Sequence, residues 1–157
     1  TARVPEGVRK VALTVNADDV LLAQIVAAAG IDTLQLHGDE DLARIRAVRA
    51  TFGLPVIKAL SVSSAEDVAD MLLFDAKPPA DATRPGGNAL TFDWDLLKGA
   101  DFQVPWLLAG GLTPENVADA IRSTDAAMVD VSSGVEKTPG HKSAEKIRAF
   151  IKAAHGT

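Results

Sequence analysis

Cysteine is absent from these 157 residues, which removes disulfides, thiolate metal sites and a thiol nucleophile from the chain's own chemistry. Basic residues are outnumbered, 16 Lys and Arg against 21 Asp and Glu, for a formal net charge of −5. Nonspecific nucleic-acid binding needs a basic face, so no nucleic-acid partner is expected. An anionic ligand would have to be held by local groups, because the global field repels it. No apolar run approaches the length of a membrane-spanning helix, and no signal-peptide pattern is visible. No membrane partner is expected, and the expected location is cytoplasmic. No G-x-G-x-x-G follows an early strand, so the dinucleotide fingerprint is missing. No G-x-S-x-G elbow marks a serine hydrolase. His37, His141 and His155 are scattered without paired-ligand spacing, so no metal site is expected.

What is present is an alternation of short apolar runs and amphipathic stretches. Strands are expected over 9–15, 33–38, 54–60, 71–75, 104–109 and 127–131, each a short β-rich or apolar run. Helices are expected over 17–29, capped by Asn16 and closed by Gly30, and over 40–52, closed by Gly53. The second of these sets Leu42, Ile45, Val48 and Phe52 on one side, with Arg44, Arg46 and Arg49 largely outward. A short helix opens at Ser64, another restarts over 92–97, and a terminal helix over 143–154 should turn Ile147, Phe150 and Ile151 inward. A long loop over 76–91 interrupts the pattern, and loops of that length are usually functional or disordered; a lid is one natural use. No linker or low-complexity tract divides the chain, so 1–157 is expected to be a single domain.

Strand–helix alternation implies a parallel sheet with helical crossovers, either an open doubly wound sheet or a (β/α) barrel. Two glycine-bearing loops, after the fifth and sixth strands, favour the barrel, which places phosphate loops late in the chain. Gly110 and Gly111 lack Cβ, so an anion can approach the main chain closely. Thr113 is expected to cap the following helix with Pro114 at its first position, making a helix N-terminus beside a glycine loop. Ser132, Ser133 and Gly134 repeat the theme one strand later. Ordinary tight turns would also read this way, and the pairing of the two loops is what turns the reading towards phosphate. A complete barrel has eight strands; six units fall two short.

Active sites of parallel barrels sit at the C-terminal strand ends, where this chain offers Asn16, His37, Lys58, Asp75, Asp130, Ser132 and Ser133. Asp75 follows four apolar residues and precedes the long loop, so partial desolvation should raise its pKa and suit it to general acid work; bracing the loop is the alternative. His37 can hydrogen-bond a substrate, act as a base, or bond a neighbouring loop. Asp130 alternates with Val129 and Val131, so it points opposite to them, to hold substrate hydroxyls or orient a donor. Lys58 can be a Schiff-base lysine or a core lysine paired with a carboxylate, the commoner outcome.

A family resemblance now becomes visible in an ordered set of motifs. Leu34-Gln-Leu-His37-Gly38, Leu72-Leu-Phe-Asp75, Gly86-Gly87 followed by Thr91-Phe-Asp-Trp94, Leu108-Ala-Gly-Gly-Leu-Thr-Pro-Glu-Asn116, Val129-Asp-Val-Ser-Ser-Gly-Val-Glu136 and Pro139-Gly-His-Lys142 occur in that order. Any one is weak; the ordered set is specific and spans the chain from Val11 onward. It resembles the phosphoribosylanthranilate isomerases of tryptophan biosynthesis. The resemblance implies a (β/α)8 TIM barrel and an Amadori rearrangement run without cofactor or metal. A general acid protonates the furanose ring oxygen and opens the ring to a Schiff base. A base then removes the C2 proton, and the enolamine tautomerises to the ketone, giving the carboxyphenylamino-deoxyribulose phosphate. Asp75 falls on the family's general acid, Gly110, Gly111, Ser133 and Gly134 on its phosphate loops, and His37 and Asp130 on positions lining the substrate site. The implied partner is a small phosphorylated substrate, and the assembly a monomer or homodimer. The rivals are another phosphate-binding barrel, such as indole-glycerol-phosphate synthase or the tryptophan synthase alpha subunit, and a non-catalytic phosphate-binding module.

Two departures qualify the resemblance. The family usually reads Gly-Gly-Ser/Thr-Gly in the long loop, where this chain has Gly86-Gly87-Asn88-Ala89. The family's general base is a cysteine in a Lys-Ile-Cys-Gly motif at the end of the first strand, and nothing here matches it. The first strand of this chain aligns with the family's third. The expectation is an arc of six βα units, strands 3–8 of the barrel, short of some 45 residues in front and unable to remove the C2 proton efficiently. An upstream Lys-Ile-Cys-Gly-like motif would complete the site.

Overall fold

The computed structural model describes residues 4–60, 69–75, 94–99 and 102–156. The helix expected from Ser64, the long loop over 76–91 and its Gly86–Ala89 stretch lie outside the described residues, as does the start of the 92–97 helix.

Five parallel strands run in chain order: β1 (Val11–Thr14), β2 (Thr33–Leu36), β3 (Val56–Leu60), β4 (Met71–Phe74) and β5 (Trp106–Leu108). Each pairs with the next, Thr14 opposite Leu36, Leu36 opposite Lys58, Lys58 opposite Leu72 and Leu72 opposite Trp106. A doubly wound sheet reverses its strand order at a switch point. This one never does, and its order β1-β2-β3-β4-β5 is that of a barrel wall cut open. The expected strand over 127–131 is reduced to a single bridge, Val129 to Leu108. The Leu108 N–H donates to the Met128 carbonyl and the Asp130 N–H to the Leu108 carbonyl. The sixth place in the wall is therefore occupied, but by one paired residue.

The helices are α1 (Asp19–Ala29), α2 (Leu42–Phe52), α3 (Val117–Thr124) and α4 (Ala144–His155), with one-turn 3-10 helices at Trp94–Leu97 and Ser133–Val135. A short hairpin, β6 (Glu136–Thr138) with β7 (His141–Lys142), precedes α4. Caps differ from expectation. Asp18, one turn before its hydrogen-bond partner Leu21, caps α1 in place of Asn16, and Asp41 caps α2 through the Arg44 N–H. Asn16 is instead left-handed, with φ 51°, and its side chain accepts from the Asp39 N–H. Glu40, expected inside α2, precedes the cap and is buried. Gly30 and Gly53 close α1 and α2 as expected.

Alternate strand residues face opposite sides of a sheet, and this sheet separates cleanly. Leu34, Leu36, Val56, Leu72, Phe74 and Leu108 face the helices, packing with Leu22, Ile45 and Val48 at one end and with Val117, Ala120 and Phe150 at the other. Phe74, Phe102 and Trp106 form a mutually packed aromatic group there, with ring centroids 4.7–5.8 Å apart. The opposite face carries Ile57, Leu73 and Ala109, flanked by Ala59, Met71 and Leu107, and is the interior of the arc. On β1 that interior face is open: Val11 and Leu13 are 43% and 58% exposed. In α4 only Phe150 is buried; Ile147 and Ile151, expected inward, are 36% and 50% exposed.

Candidate active site

The interior parity continues past the strand ends and selects the site. Gln35, Leu73 and Ala109 face inward, so His37, two after Gln35, and Asp75, two after Leu73, do too. Val129 pairs with helix-facing Leu108, which turns Asp130 inward. The backbone of each is fixed by its neighbour strand: His37 N–H donates to Thr14 O at 2.8 Å, Asp75 N–H to Leu60 O at 3.2 Å, and Asp130 N–H to Leu108 O at 2.8 Å.

His37 and Asp75 meet. Nε2 of His37 lies 3.2 Å from Oδ2 of Asp75, with side chains 11% and 16% exposed. On the other side of the ring, Nδ1 lies 3.4 Å from Nε2 of Gln35. An amide nitrogen only donates, so Nδ1 accepts, and the proton of a neutral ring sits on Nε2, facing Asp75. Asp130 completes the group. Its burial, and next the negative charge of Asp75, push its carboxyl above the usual aspartate range, with His37 and Lys142 opposing less strongly.

The two glycine loops converge on the same place. A small hollow is lined by Asp75, Gly110, Gly111, Asp130, Ser133 and Gly134 together. Gly110 and Gly111 have φ of 82° and 64°, a region that costs an L side chain about 1–2 kcal/mol. Gly134 abuts the Leu112 carbonyl so closely that a Cβ there would overlap it; the two loops touch through a glycine because nothing larger fits. Among the described residues, none accepts a hydrogen bond from the N–H of Gly110, Gly111, Ser133 or Gly134. Free backbone donors of this kind form anion-binding concavities.

Several supporting residues were not legible as such. α3 begins at Val117, after a turn at 114–116, so Thr113 and Pro114 stand one turn ahead of the helix they were expected to open. Thr113 Oγ1 still accepts from the Glu115 N–H at 3.2 Å. Asn116 braces the loop instead: its Oδ1 accepts from the Thr113 N–H at 2.7 Å and its Nδ2 donates to the Gly111 carbonyl at 3.0 Å. Lys142 braces the other loop, donating to Ser132 O at 2.8 Å and Oγ at 3.2 Å while pairing with Glu136 at 2.9 Å. Lys58 is the core lysine of its two readings, 2.8 Å from Glu40 on the helix side of the sheet. Both Asn116 and Lys142 sit inside the ordered motifs; their bracing depends on loop closure that spacing does not reveal.

A larger hollow of about 630 Å³ lies elsewhere, between α3, α4 and the 126–135 segment. Its walls are mainly apolar, and it contains neither Asp75 nor Asp130. Among the described residues no cluster of three or more His, Asp or Glu is placed to hold a metal ion, and no helix is long and apolar enough to cross a membrane.

Comparisons with known proteins agree on one family. A family model described as N-(5'phosphoribosyl)anthranilate (PRA) isomerase matches residues 1–153. The N-(5'-phosphoribosyl)anthranilate isomerase of Paracoccus denitrificans is 56% identical over 162 residues, covering 98% of this chain and 75% of the relative. Among solved structures, monomers derived from the dimeric phosphoribosylanthranilate isomerase of Thermotoga maritima superpose with a TM-score of 0.73 at 30% identity, covering 96% of this chain and 74% of theirs. Another isomerase structure, in complex with reduced 1-(o-carboxyphenylamino)-1-deoxyribulose 5-phosphate, gives a TM-score of 0.75 at 30% identity, covering 98% and 75%. The chain thus spans about three quarters of the length of the relatives it matches.

Proposed function

This chain belongs to the N-(5'-phosphoribosyl)anthranilate isomerase family of tryptophan biosynthesis, and on that premise we propose that its strand ends hold the acid and the phosphate seat of the isomerisation. The observation that carries the reading is the shared hollow, in which two carboxylates and two glycine loops with free N–H groups line one space. A substrate phosphate seated on the N–H groups of Gly110, Gly111, Ser133 and Gly134 would put its ribose beside Asp75. Asp75 is the general acid: it takes up a proton as the anionic substrate binds beside it and gives it to the ring oxygen as the C1–O bond breaks, while the anilino nitrogen's lone pair forms the C1=N bond of the Schiff base. His37 holds the Asp75 carboxyl in register, and Asp130 binds a substrate hydroxyl or amine. The C2 proton then leaves to a base, C1–C2 becomes the double bond of the enolamine, and tautomerisation yields the ketone. The oxidation of C2 to the ketone is balanced by the reduction of C1 within the same molecule, so the chemistry calls for no external oxidant or reductant. The family's base, a cysteine, is not among the 157 residues.

The ligand class is a small phosphorylated sugar derivative, as in the relative whose structure contains a reduced deoxyribulose phosphate. A phosphate monoester substrate is retained inside cells by its charge, which supports a cytoplasmic location. A homodimer is supported by the dimeric Thermotoga maritima relative; a monomer remains the alternative that gel filtration separates. In a form that also carries the family's base cysteine, Asp75→Asn is expected to lower kcat/KM on N-(5'-phosphoribosyl)anthranilate by about 10²–10⁴-fold, the range for removing a general acid. An unchanged value would overturn the acid assignment. Calorimetric titration with the reduced deoxyribulose phosphate gives a readout independent of turnover: binding should persist in Asp75→Asn and be lost in Gly134→Ala.

A further inference from the structure

We propose that the buried Lys58–Glu40 pair is a positioning device for His37, and through His37 for Asp75. Lys58 projects from the helix-facing side of β3 with its side chain 6% exposed, and Glu40 is 3% exposed. The ammonium has three protons, and the structure gives it three acceptors: Glu40 Oε2 at 2.8 Å, Gly38 O at 2.5 Å and Leu36 O at 3.4 Å. Those two carbonyls belong to the residues on either side of His37. Glu40 holds the same stretch from its other end, its Oε2 accepting from Gly38 N–H at 2.9 Å and its Oε1 from Asn16 N–H at 2.8 Å. The ion pair therefore grips both peptide groups around His37 from the helix side, while the imidazole faces Asp75 in the interior.

The surroundings leave little slack. A Cβ on Gly38 would overlap the Asn16 side chain and lie 2.8 Å from its backbone nitrogen, so β1 and the loop after β2 are pressed together at this point. Energetics point the same way. Removing two charges from water costs several kcal/mol per ion, and a packed apolar pair is often as stable or more so. Three of the pair's four remaining bonds go to the backbone flanking His37 and the fourth ties Asn16 of the neighbouring strand end, which fits orientation of His37 better than a contribution to stability. Glu40 stays ionised beside the Lys58 ammonium. Burial pushes its carboxyl up, but the hydrogen bonds from Lys58 and from the Asn16 N–H outweigh it and hold the group below the usual glutamate range.

The proposal rests on the reading of Asp75 as the general acid, yet its first consequence concerns the ring alone. In the wild type, the ¹⁵N resonances of the His37 imidazole should be those of the Nε2–H tautomer. In Lys58→Met they should move towards the tautomer-averaged values of a free histidine, while His141 and His155 stay put. In a form that also carries the family's base cysteine, kcat on N-(5'-phosphoribosyl)anthranilate should fall about tenfold to a hundredfold with KM within about twofold, the pattern of a misplaced catalytic group. Lys58→Arg should recover part of the loss. Combined with His37→Asn, Lys58→Met should add less than about twofold, because both act through one side chain. If Lys58→Met does not fold, Glu40→Gln carries the same spectroscopic test. Unchanged His37 resonances in a folded variant, or losses that multiply in the double variant, would overturn the proposal. Undiminished turnover in Asp75→Asn would instead overturn the reading of the acid, with the imidazole signature still reporting on the clamp.

Discussion

Asp130, half-buried, and Glu40, buried, are carboxylates with opposite biases, and their environments explain both. Asp130 sits near Asp75, and its carboxyl is raised by burial first and by Asp75 second, with His37 and Lys142 opposing less strongly. A carboxyl raised on folding contributes stability that is fully present below its unfolded pKa and lost as pH rises through the folded one. Asp130→Asn is therefore expected to raise Tm at neutral and alkaline pH, with the gain vanishing as pH falls to the ordinary aspartate range. A pH-independent change in Tm would contradict this. Glu40 is lowered on folding, so its contribution is present above its unfolded pKa and is lost as pH falls through the folded value. Removing only one partner of that pair leaves an uncompensated buried charge, so Glu40→Gln should cost about 3–5 kcal/mol near neutral pH in denaturant titration. These roles were partly legible from sequence. Asp75 and His37 could be picked out because each is a polar residue ending an apolar run, and period-two alternation gave Asp130 its direction. Of the two readings open to Lys58, a Schiff-base lysine or a core lysine paired with a carboxylate, the structure gives the second. That the carboxylate is Glu40 was hidden, because it looked like the first turn of a helix and is instead one residue before that helix's cap.

Among the elements, the two glycine loops are the most constrained. Gly111 is tied by its carbonyl to Asn116 Nδ2, and Gly134 fits only because it has no side chain against Leu112 O. Gly134→Ala should cost about 1–3 kcal/mol by overpacking and abolish phosphate-ligand binding. Asn116→Ala leaves the Thr113 N–H without its acceptor and should cost about 1–2 kcal/mol, with KM rising while the effect on kcat stays small. A tight-binding Gly134→Ala in calorimetry would remove the phosphate seat from this account. The glycines themselves were readable because close approach to an anion and positive φ both call for them. The helix start was not: Thr113-Pro114 has the composition of a cap, but one turn intervenes before α3, and Asn116 does the local bonding. In α4, helical spacing correctly put Phe150 inward. It could not show that Ile147 and Ile151 would instead rim an open apolar hollow, because that depends on what packs beside the helix.

At the scale of the whole molecule, the monotonic strand order and the separation of helix-facing from interior residues are those of a barrel wall, the one of the two architectures left open by strand–helix alternation that the late glycine loops favoured. Among the described residues the sheet is open at both ends. Val11 and Leu13 expose the interior side of β1, and at the far end the 127–131 segment pairs through Val129 alone, with Ile147 and Ile151 uncovered beside it. Unpaired strand edges and contiguous apolar surface invite association. The 157-residue chain by itself is expected to bind the apolar dye ANS in native buffer and to elute as a concentration-dependent associated species. A dye-dark monomer would show that these surfaces are covered.

We infer that the two carboxylates and the two glycine loops, which line one hollow, form one anion-binding site at the C-terminal ends of the strands. Its most direct test is titration of the ¹⁵N-labelled protein with inorganic phosphate, followed through amide resonances. The account predicts that the amides of Gly110, Gly111, Ser133 and Gly134 shift together along one saturating curve, and that Gly134→Ala removes the response. Saturable shifts confined to other residues, or no response at Gly111 and Gly134, would contradict it.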